Sequence, residues 1–228
     1  MKIALTGGIA CGKSLVAKFL SELGVQSLDA DDVVHELEAP GGAAVSAIVA
    51  RFGSAVLAPE GGIDRKRLAE IVFTGGLRSC AAAAGGAARE ARRDLEAILH
   101  PLVRRRLLEF VENPSVRDPR RPTSSGALRL AIIPLLFESH FESDYDIIVC
   151  VSSTEDRQID RMMHVRGYTR EQAEARLAAQ MPVAEKAARA NWTIHNNSTP
   201  DDLRAEVCRC AAWLSARMEK IDEHRRKG

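Results

Sequence analysis

The chain has 228 residues, 46% of them hydrophobic, and a formal net charge of +1 at pH 7. That length supports one full core and a small second lobe. The near-balanced charge argues against a large nucleic-acid-binding face, and without an apolar run of about 18 residues no membrane span is expected.

The sequence opens on K-I-A-L-T (2–6), which reads as a short buried strand. Gly7-Gly8-Ile9-Ala10-Cys11-Gly12-Lys13-Ser14 follows and matches G-x-x-x-x-G-K-S. In such a loop, backbone N–H groups wrap a polyphosphate, the lysine reaches its β- and γ-phosphates, and the hydroxyl binds Mg²⁺. A helix over 14–23 is expected next, with Leu15, Val16, Phe19, Leu20 and Leu23 on one face. The motif therefore sits between a strand and a helix, the context it requires. Cys11 lies at a helix N-terminus, where a thiol pKa can fall. Because the loop works through its backbone, Cys11 is expected to be a small loop residue without a catalytic role. No signal peptide is read ahead of the first strand, and the five cysteines lack C-x-x-C spacing. A cytoplasmic location, reduced thiols and no structural zinc are the expectation.

Gly24 marks the helix end. A second strand is expected over 25–30, ending on Asp29-Ala30-Asp31-Asp32. Open parallel sheets bind ligands at the carboxyl ends of their strands. These carboxylates are candidates to accept a proton from an acceptor hydroxyl or to hold Mg²⁺ through water. Helix capping is the plainer use of aspartate there. Helices are expected over 33–37 and 43–52, and from a cap at Asp64 to 73. The glycine- and alanine-rich stretch 74–88 reads as an insertion, a loop or a loosely formed helix start. A long helix over 89–112 should kink or restart near His100, because Pro101 lies inside it. The Pro- and Arg-rich 113–126 reads as a surface loop.

L-R-L-A-I-I-P-L-L (128–136) reads as a central buried strand and 147–151 as another, with a short helix and turn over 137–144. Helices over 154–166, 169–181 and 182–190 follow. Thr154 and Thr169 resemble N-caps, and Thr169 with Gln172 matches a capping box. A last strand over 192–195 and a helix over 200–218 complete the pattern. Strands alternating with helices imply an α/β fold, a mostly parallel sheet with helices on both faces. Arg157, Arg161, Arg166 and Arg170 ride on a helix–turn–helix broken at Gly167-Tyr168. That arrangement suits a lid that closes over a nucleotide and brings positive charge to a transferring group. Taken alone, the arginines read more simply as a solvated face paired with Glu155, Asp156 and Asp160.

Several motifs together resemble one family, the dephospho-coenzyme A kinases. They are A-L-T-G-G-I-A-C-G-K-S (4–14), L-D-A-D (28–31), I-D-R-K-R-L (63–68), L-H-P-L-V (99–103), I-P-L-L-F-E (133–138), the arginine-bearing lid with Gln180 at its end, and Ile194-His195-Asn196-Asn197. The resemblance implies a P-loop NTPase-type α/β fold: a five-stranded parallel sheet flanked by helices, a helical acceptor-binding domain and a helical lid. The core would comprise 1–32, 127–154 and 183–228, the acceptor domain 33–126 and the lid 155–182. It implies phosphorylation of the ribose 3′-hydroxyl of dephospho-CoA, with ATP and Mg²⁺ as cofactors and no nucleic-acid partner. Position by position, Asp31 would be the general base, acting with Lys13 and Arg161. ATP would be held by Gly7, Gly8, Ile9, Ala10, Cys11, Gly12, Lys13, Ser14, Leu15, Arg166 and Asn197. The acceptor would meet Asp29, Arg65, His100, Pro101, Pro134, Leu136 and Glu138, and the metal Ser14 and Asp31. The family usually carries Gly-Ser where this chain has Ala10-Cys11. If residue 10 needs a positive φ, alanine there costs about 1 kcal/mol. Two alternatives stand beside this reading, and a third, a degenerate paralogue that binds without turning over, is opposed by the intact Gly12-Lys13-Ser14 and Asp31. One is another P-loop kinase, acting on a nucleoside monophosphate or shikimate. The other is a nucleotide-dependent switch, which would need a Walker-B aspartate that 128–136 lacks.

Overall fold

The computed structural model describes residues 1–74, 81–113 and 128–227. The chain folds as two units, one formed by residues 1–29 with 108–228 and the other by residues 30–107.

The first unit is built on five parallel strands: β1 (Ile3–Gly7), β2 (Gln26–Asp29), β3 (Arg129–Ile132), β4 (Ile147–Ser152) and β5 (Trp192–His195). Their spatial order is β2-β3-β1-β4-β5. Every residue of β1 is buried, as a central parallel strand covered on both faces should be. Ile3 pairs with Leu130 on one side and Ile147 on the other, and this register carries Gly7 to Val151. From β1 the chain travels to one side for β2 and β3 and to the other for β4 and β5. The carboxyl end of β1 is therefore where the winding reverses, the place where open α/β sheets open a ligand crevice.

Helix α1 (Lys13–Glu22) buries Val16, Ala17, Phe19 and Leu20 against Ile3, Leu5, Val149 and Ile194, and Leu203, Val207 and Leu214 join the same core. Burying each large side chain of this kind is worth about 1.5–3 kcal/mol. The last three come from the long C-terminal helix (Pro200–Lys227), whose Trp213 ring lies 5.0 Å from that of Trp192. That helix outruns the expected 200–218. Residues 219–227 are mostly Glu, Lys and Arg, good helix formers.

The second unit contains α2 (Ala30–Glu38), α3 (Val45–Phe52), α4 (Arg65–Thr74) and α5 (Ala81–Glu112) up to Leu107. Its buried side chains include Val33, Leu37, Ile48, Leu68, Val72, Leu99 and Val103. Asp64 caps α4 as expected, accepting the N–H groups of Lys66 and Arg67 at 3.1 Å.

Three expectations are corrected. The long helix expected from residue 89 begins at Ala81, so of the readings of 74–88 the helix start holds from there, because alanine's propensity outweighs the glycines among 81–88. It also runs through Pro101 without restarting. Ala97, whose carbonyl loses its i+4 donor there, is exposed, as is Pro101, so water can take that carbonyl. Strand β3 stops at Ile132 rather than 136, since Pro134 cannot continue a ladder. The predicted loop 113–126 lies, beyond residue 113, outside the described residues, as do 75–80 of the predicted insertion.

The remaining helices belong to the first unit: α6 (Glu155–Arg166), α7 (Arg170–Ala178), α8 (Val183–Arg189) and the C-terminal helix, α9. The Thr169–Gln172 capping box forms. Thr154 occupies its N-cap position without a side-chain bond; the Asn197 Oδ1 accepts its N–H instead, at 2.9 Å. Among the described residues, no helix is long and apolar enough to cross a membrane.

Candidate active site

The loop between β1 and α1 is shaped by its small residues. Gly12 sits at the N-cap of α1 with φ +92°, and a Cβ there would fall on the Asn196 amide nitrogen. A Cβ on Gly8 would lie 2.6 Å from Gln158 Nε2. Ala10 has φ +56°, and holding an L-residue there costs about 1–2 kcal/mol. The Cys11 N–H donates to the Gly8 carbonyl at 3.3 Å, and the Gly12 carbonyl accepts from Leu15 and Val16. The first N–H groups of α1 have no partner within the helix and carry the positive end of its dipole. A strand end, a glycine-rich turn and a free helix N-terminus make an anion site.

The outer side of the loop is fixed by three side chains. Gln158 Nε2 donates to the Ile9 carbonyl at 2.6 Å, Arg161 Nη1 to the Ala10 carbonyl at 3.1 Å, and Asn196 Nδ2 to the Cys11 carbonyl at 2.9 Å. Ile9 and Ala10 also pack against Ile159, Met162 and Ala173, the small apolar core of α6 and α7.

Lys13 Nζ donates to the Gly7 and Gly8 carbonyls at 3.0 and 2.8 Å. Burial lowers its pKa. Electrostatic interaction with the Cys11 and Asp29 side chains opposes that shift and the Lys186 ammonium adds to it. Asp29, at the carboxyl end of β2, therefore acts electrostatically on the loop lysine. Cys11 is the small buried loop residue expected. It is fully buried, and burial pushes its thiol up, outweighing the opposing pull of Lys13. A thiol closed off from solvent does not gain the lowered pKa of an exposed helix terminus.

Facing β1 is the turn after β3. Lys186 on α8 is fully buried; its Nζ lies 2.7 Å from Glu138 Oε1 and donates to the Pro134 carbonyl at 3.0 Å. Glu138 Oε1 also accepts the Met181 N–H at 3.1 Å, while its Oε2 is buried without a partner among the described residues. Leu136 is fully buried and anchors this turn through packing. A cavity of about 770 Å³ opens beside Gly8 and Ile9, lined by residues 152–155, Gln158, Glu174, Leu177, residues 180–184 and Asn197. That volume is in the range of small-molecule and cofactor sites.

The other predicted residues fall as follows. Ser14 is exposed in the first turn of α1, and Leu15 follows it, half-buried. Arg166 is exposed at the end of α6. Asn197 Oδ1 accepts from Ser153 Oγ at 3.2 Å as well as from Thr154. In the second unit, Asp31 is exposed in the first turn of α2, and His35 Nδ1 donates to its carbonyl at 2.7 Å. Arg65 pairs with the buried Glu38 at 2.7 Å. His100 is half-buried and Pro101 exposed on α5.

The comparisons with known proteins add to this geometry. The family model for dephospho-CoA kinase matches residues 1–202. The chain belongs to the dephospho-CoA kinase family. A dephospho-CoA kinase of Geobacter sulfurreducens is 40% identical over 205 residues, 90% of this chain and 94% of that one. That of Geobacillus kaustophilus is 38% identical over 208 residues, 91% and 93% of the two chains. Among solved structures, a Thermus thermophilus protein superposes with a TM-score of 0.68 at 30% identity, over 96% of this chain and 97% of that one. The Campylobacter jejuni dephospho-CoA kinase does so with 0.57 at 25% identity, over 92% and 94%. The chain is thus an ATP-using P-loop kinase of coenzyme A synthesis, with dephospho-CoA kinase activity.

Sequence reading passed over Gln158, Asn196 and Lys186. Asn196 stood in a motif already singled out, next to the residue chosen. Gln158 precedes Arg161 by one helical turn, a spacing that puts both on one face. Lys186 gave no signal, since a lysine in a short alanine-rich helix reads as surface.

Proposed function

We propose that this kinase moves the γ-phosphoryl group of ATP to the ribose 3′-hydroxyl of dephospho-CoA, with Asp31 as the base that takes the hydroxyl proton. The observation that carries the nucleotide half is the amide-lined loop over Lys13, whose ammonium lies on the Gly7 and Gly8 carbonyls. Phosphoryl transfer asks little covalent chemistry of the protein, so positioning and charge dominate. Lys13 supplies charge to the β- and γ-oxygens, and the N–H groups of 12–14 hold the same phosphates. Arg161 adds charge behind the loop, and Arg166 closes over the nucleotide with α6 and α7 as a lid. Asn197, on the wall of the cavity, meets the nucleotide.

Ser14 offers a hydroxyl, and Asp29 and Asp31 offer carboxylates, the hard oxygen donors Mg²⁺ prefers alongside phosphates. Ser14 and Asp31 would hold the ion, which would neutralise charge on the β- and γ-oxygens. Glu138, Pro134 and Leu136 shape the acceptor side with Asp29, and Arg65, His100 and Pro101 extend it. The division into core (1–32, 127–154, 183–228), acceptor domain (33–126) and lid (155–182) belongs to the same reading, supported for the lid by its own small core. A cytoplasmic location belongs to the same reading.

The test is Asp31→Asn. The kcat should fall on the order of 10²–10⁴-fold, the usual worth of a general base, while the KM for ATP stays within about threefold. An unchanged kcat would move the role to Asp29 or Asp32, or to transfer without a base.

A further inference from the structure

We propose that Gln158, Arg161 and Asn196 are positioning residues for phosphate binding, acting together as a clamp on the outward carbonyls of the loop. Three consecutive carbonyls, those of Ile9, Ala10 and Cys11, each take a hydrogen bond from a different one of these side chains. In a trans peptide the C=O of one residue and the N–H of the next point in opposite directions. Turning the carbonyls of residues 9, 10 and 11 outward therefore turns the N–H groups of 10, 11 and 12 to the other side. The N–H of Cys11 closes the turn to Gly8. Those of Ala10 and Gly12 are left to join the helix N-terminus in a concave row of donors, a nest for an anion.

The loop needs such a device. Ala10 holds a strained φ of +56°, and strained backbone persists only where its surroundings over-determine it. A freed loop would relax by rotating peptide planes, taking donors away from the phosphate side. Gln158 and Asn196 are 2% and 6% exposed, so each is a desolvated amide committed to the main chain. Arg161 is committed in the same way. Nη1 serves the Ala10 carbonyl and, at 3.4 Å, Ser153 Oγ, while Nη2 serves the Asn196 carbonyl at 3.0 Å. Asn196 thus grips the loop with its side chain and is itself gripped through its backbone, which ties α6, the end of β5 and the phosphate loop into one network. This differs from a lid arginine that touches phosphate directly.

The inference rests on the kinase reading only in that the loop binds a polyphosphate, so its test uses inorganic tripolyphosphate, which has no base and no acceptor. Gln158→Met and Asn196→Ala replace neutral groups by neutral ones and cannot change the charge at the site. Each should weaken tripolyphosphate and ATP alike by about tenfold in titration calorimetry, the effect of losing a buried hydrogen bond. The KM for dephospho-CoA should stay unchanged. Because both variants release the same loop, the double variant should fall well short of the hundredfold product. Arg161→Met should weaken tripolyphosphate further, and Arg161→Lys should recover part of the loss. Thermal melts select variants that remain folded, and Gln158→Met keeps the side-chain volume if Asn196→Ala does not fold. Tripolyphosphate affinity within twofold of wild type in folded Gln158→Met would overturn the proposal, as would an effect confined to Arg161. Failure of the wild type to phosphorylate dephospho-CoA would sink the kinase reading and leave this test readable.

Discussion

Lys186→Met is the sharpest test of how the first unit is held together. The ammonium is fully buried, 2.7 Å from Glu138 Oε1 and 3.0 Å from the Pro134 carbonyl. Methionine fills the space of the stem and removes only the charge and its donors. Glu138 is left with the Met181 N–H on Oε1 and, among the described residues, nothing on Oε2. Among the described residues, Pro134 keeps the long bond from Thr6 Oγ1 at 3.4 Å. Breaking a fully buried pair costs about 3–5 kcal/mol. The Glu138 side chain is 24% exposed, so solvent screens part of its charge, and about 2–3 kcal/mol is the appropriate figure for the stranded carboxylate. The weakened Pro134 carbonyl adds up to about 1 kcal/mol. A total near 3 kcal/mol corresponds to a fall in Tm of about 6–12 °C for a chain of this size. The assay is urea unfolding of wild type, Lys186→Met and Lys186→Met/Glu138→Gln. The double variant, with no stranded charge, should recover at least about 1 kcal/mol. A single-variant loss below about 1 kcal/mol, or a double variant no better than the single, would refute the reasoning.

Two further outcomes follow from the same structure. Gly12→Ala combines a φ of +92° with a Cβ set on the Asn196 amide. It should abolish measurable tripolyphosphate binding while far-ultraviolet circular dichroism remains that of the wild type; retained affinity would contradict the loop geometry. Burial raises the thiols of Cys150 and Cys210 from an ordinary 9.0 to about 12. A raised pKa means the unfolded chain loses its proton first, so this stability is whole below pH 9 and is lost between pH 9 and about 12. Each thiol should contribute a loss of about 1.4 kcal/mol by pH 10. The lowered pKa of Lys13 acts in the opposite sense. The measurement is therefore the difference between wild type and Cys210→Ala in unfolding free energy, which should shrink by about 1.4 kcal/mol from pH 8 to pH 10. A constant difference would show that the thiol titrates normally in the fold.

The nucleotide half of this site was legible because it is local. Gly7 to Ser14 are contiguous, and strand, turn and helix each have a periodicity that can be read along the chain. Strand 192–195 and the Thr169 capping box were found for the same reason. What could not be read were contacts closed by the fold. Gln158 and Asn196 reach the loop across 149 and 185 residues of sequence, and no pattern of either segment announces it. Cys11 was open to misjudgement because position at a helix start and burial shift a thiol in opposite directions, and only the packed structure decides between them. Helix α5 began early because propensity prevailed over the glycines, and β3 ended early because one proline outweighed an apolar run.

The most direct measurement of the central claim is ADP release from ATP and Mg²⁺ with dephospho-CoA, adenosine monophosphate and shikimate supplied separately, with the product's phosphate position read by ³¹P NMR. ADP should appear in step with coenzyme A phosphorylated on the ribose 3′-oxygen, and with neither of the other acceptors. No coenzyme A formed, or faster turnover on adenosine monophosphate or shikimate, would contradict the account.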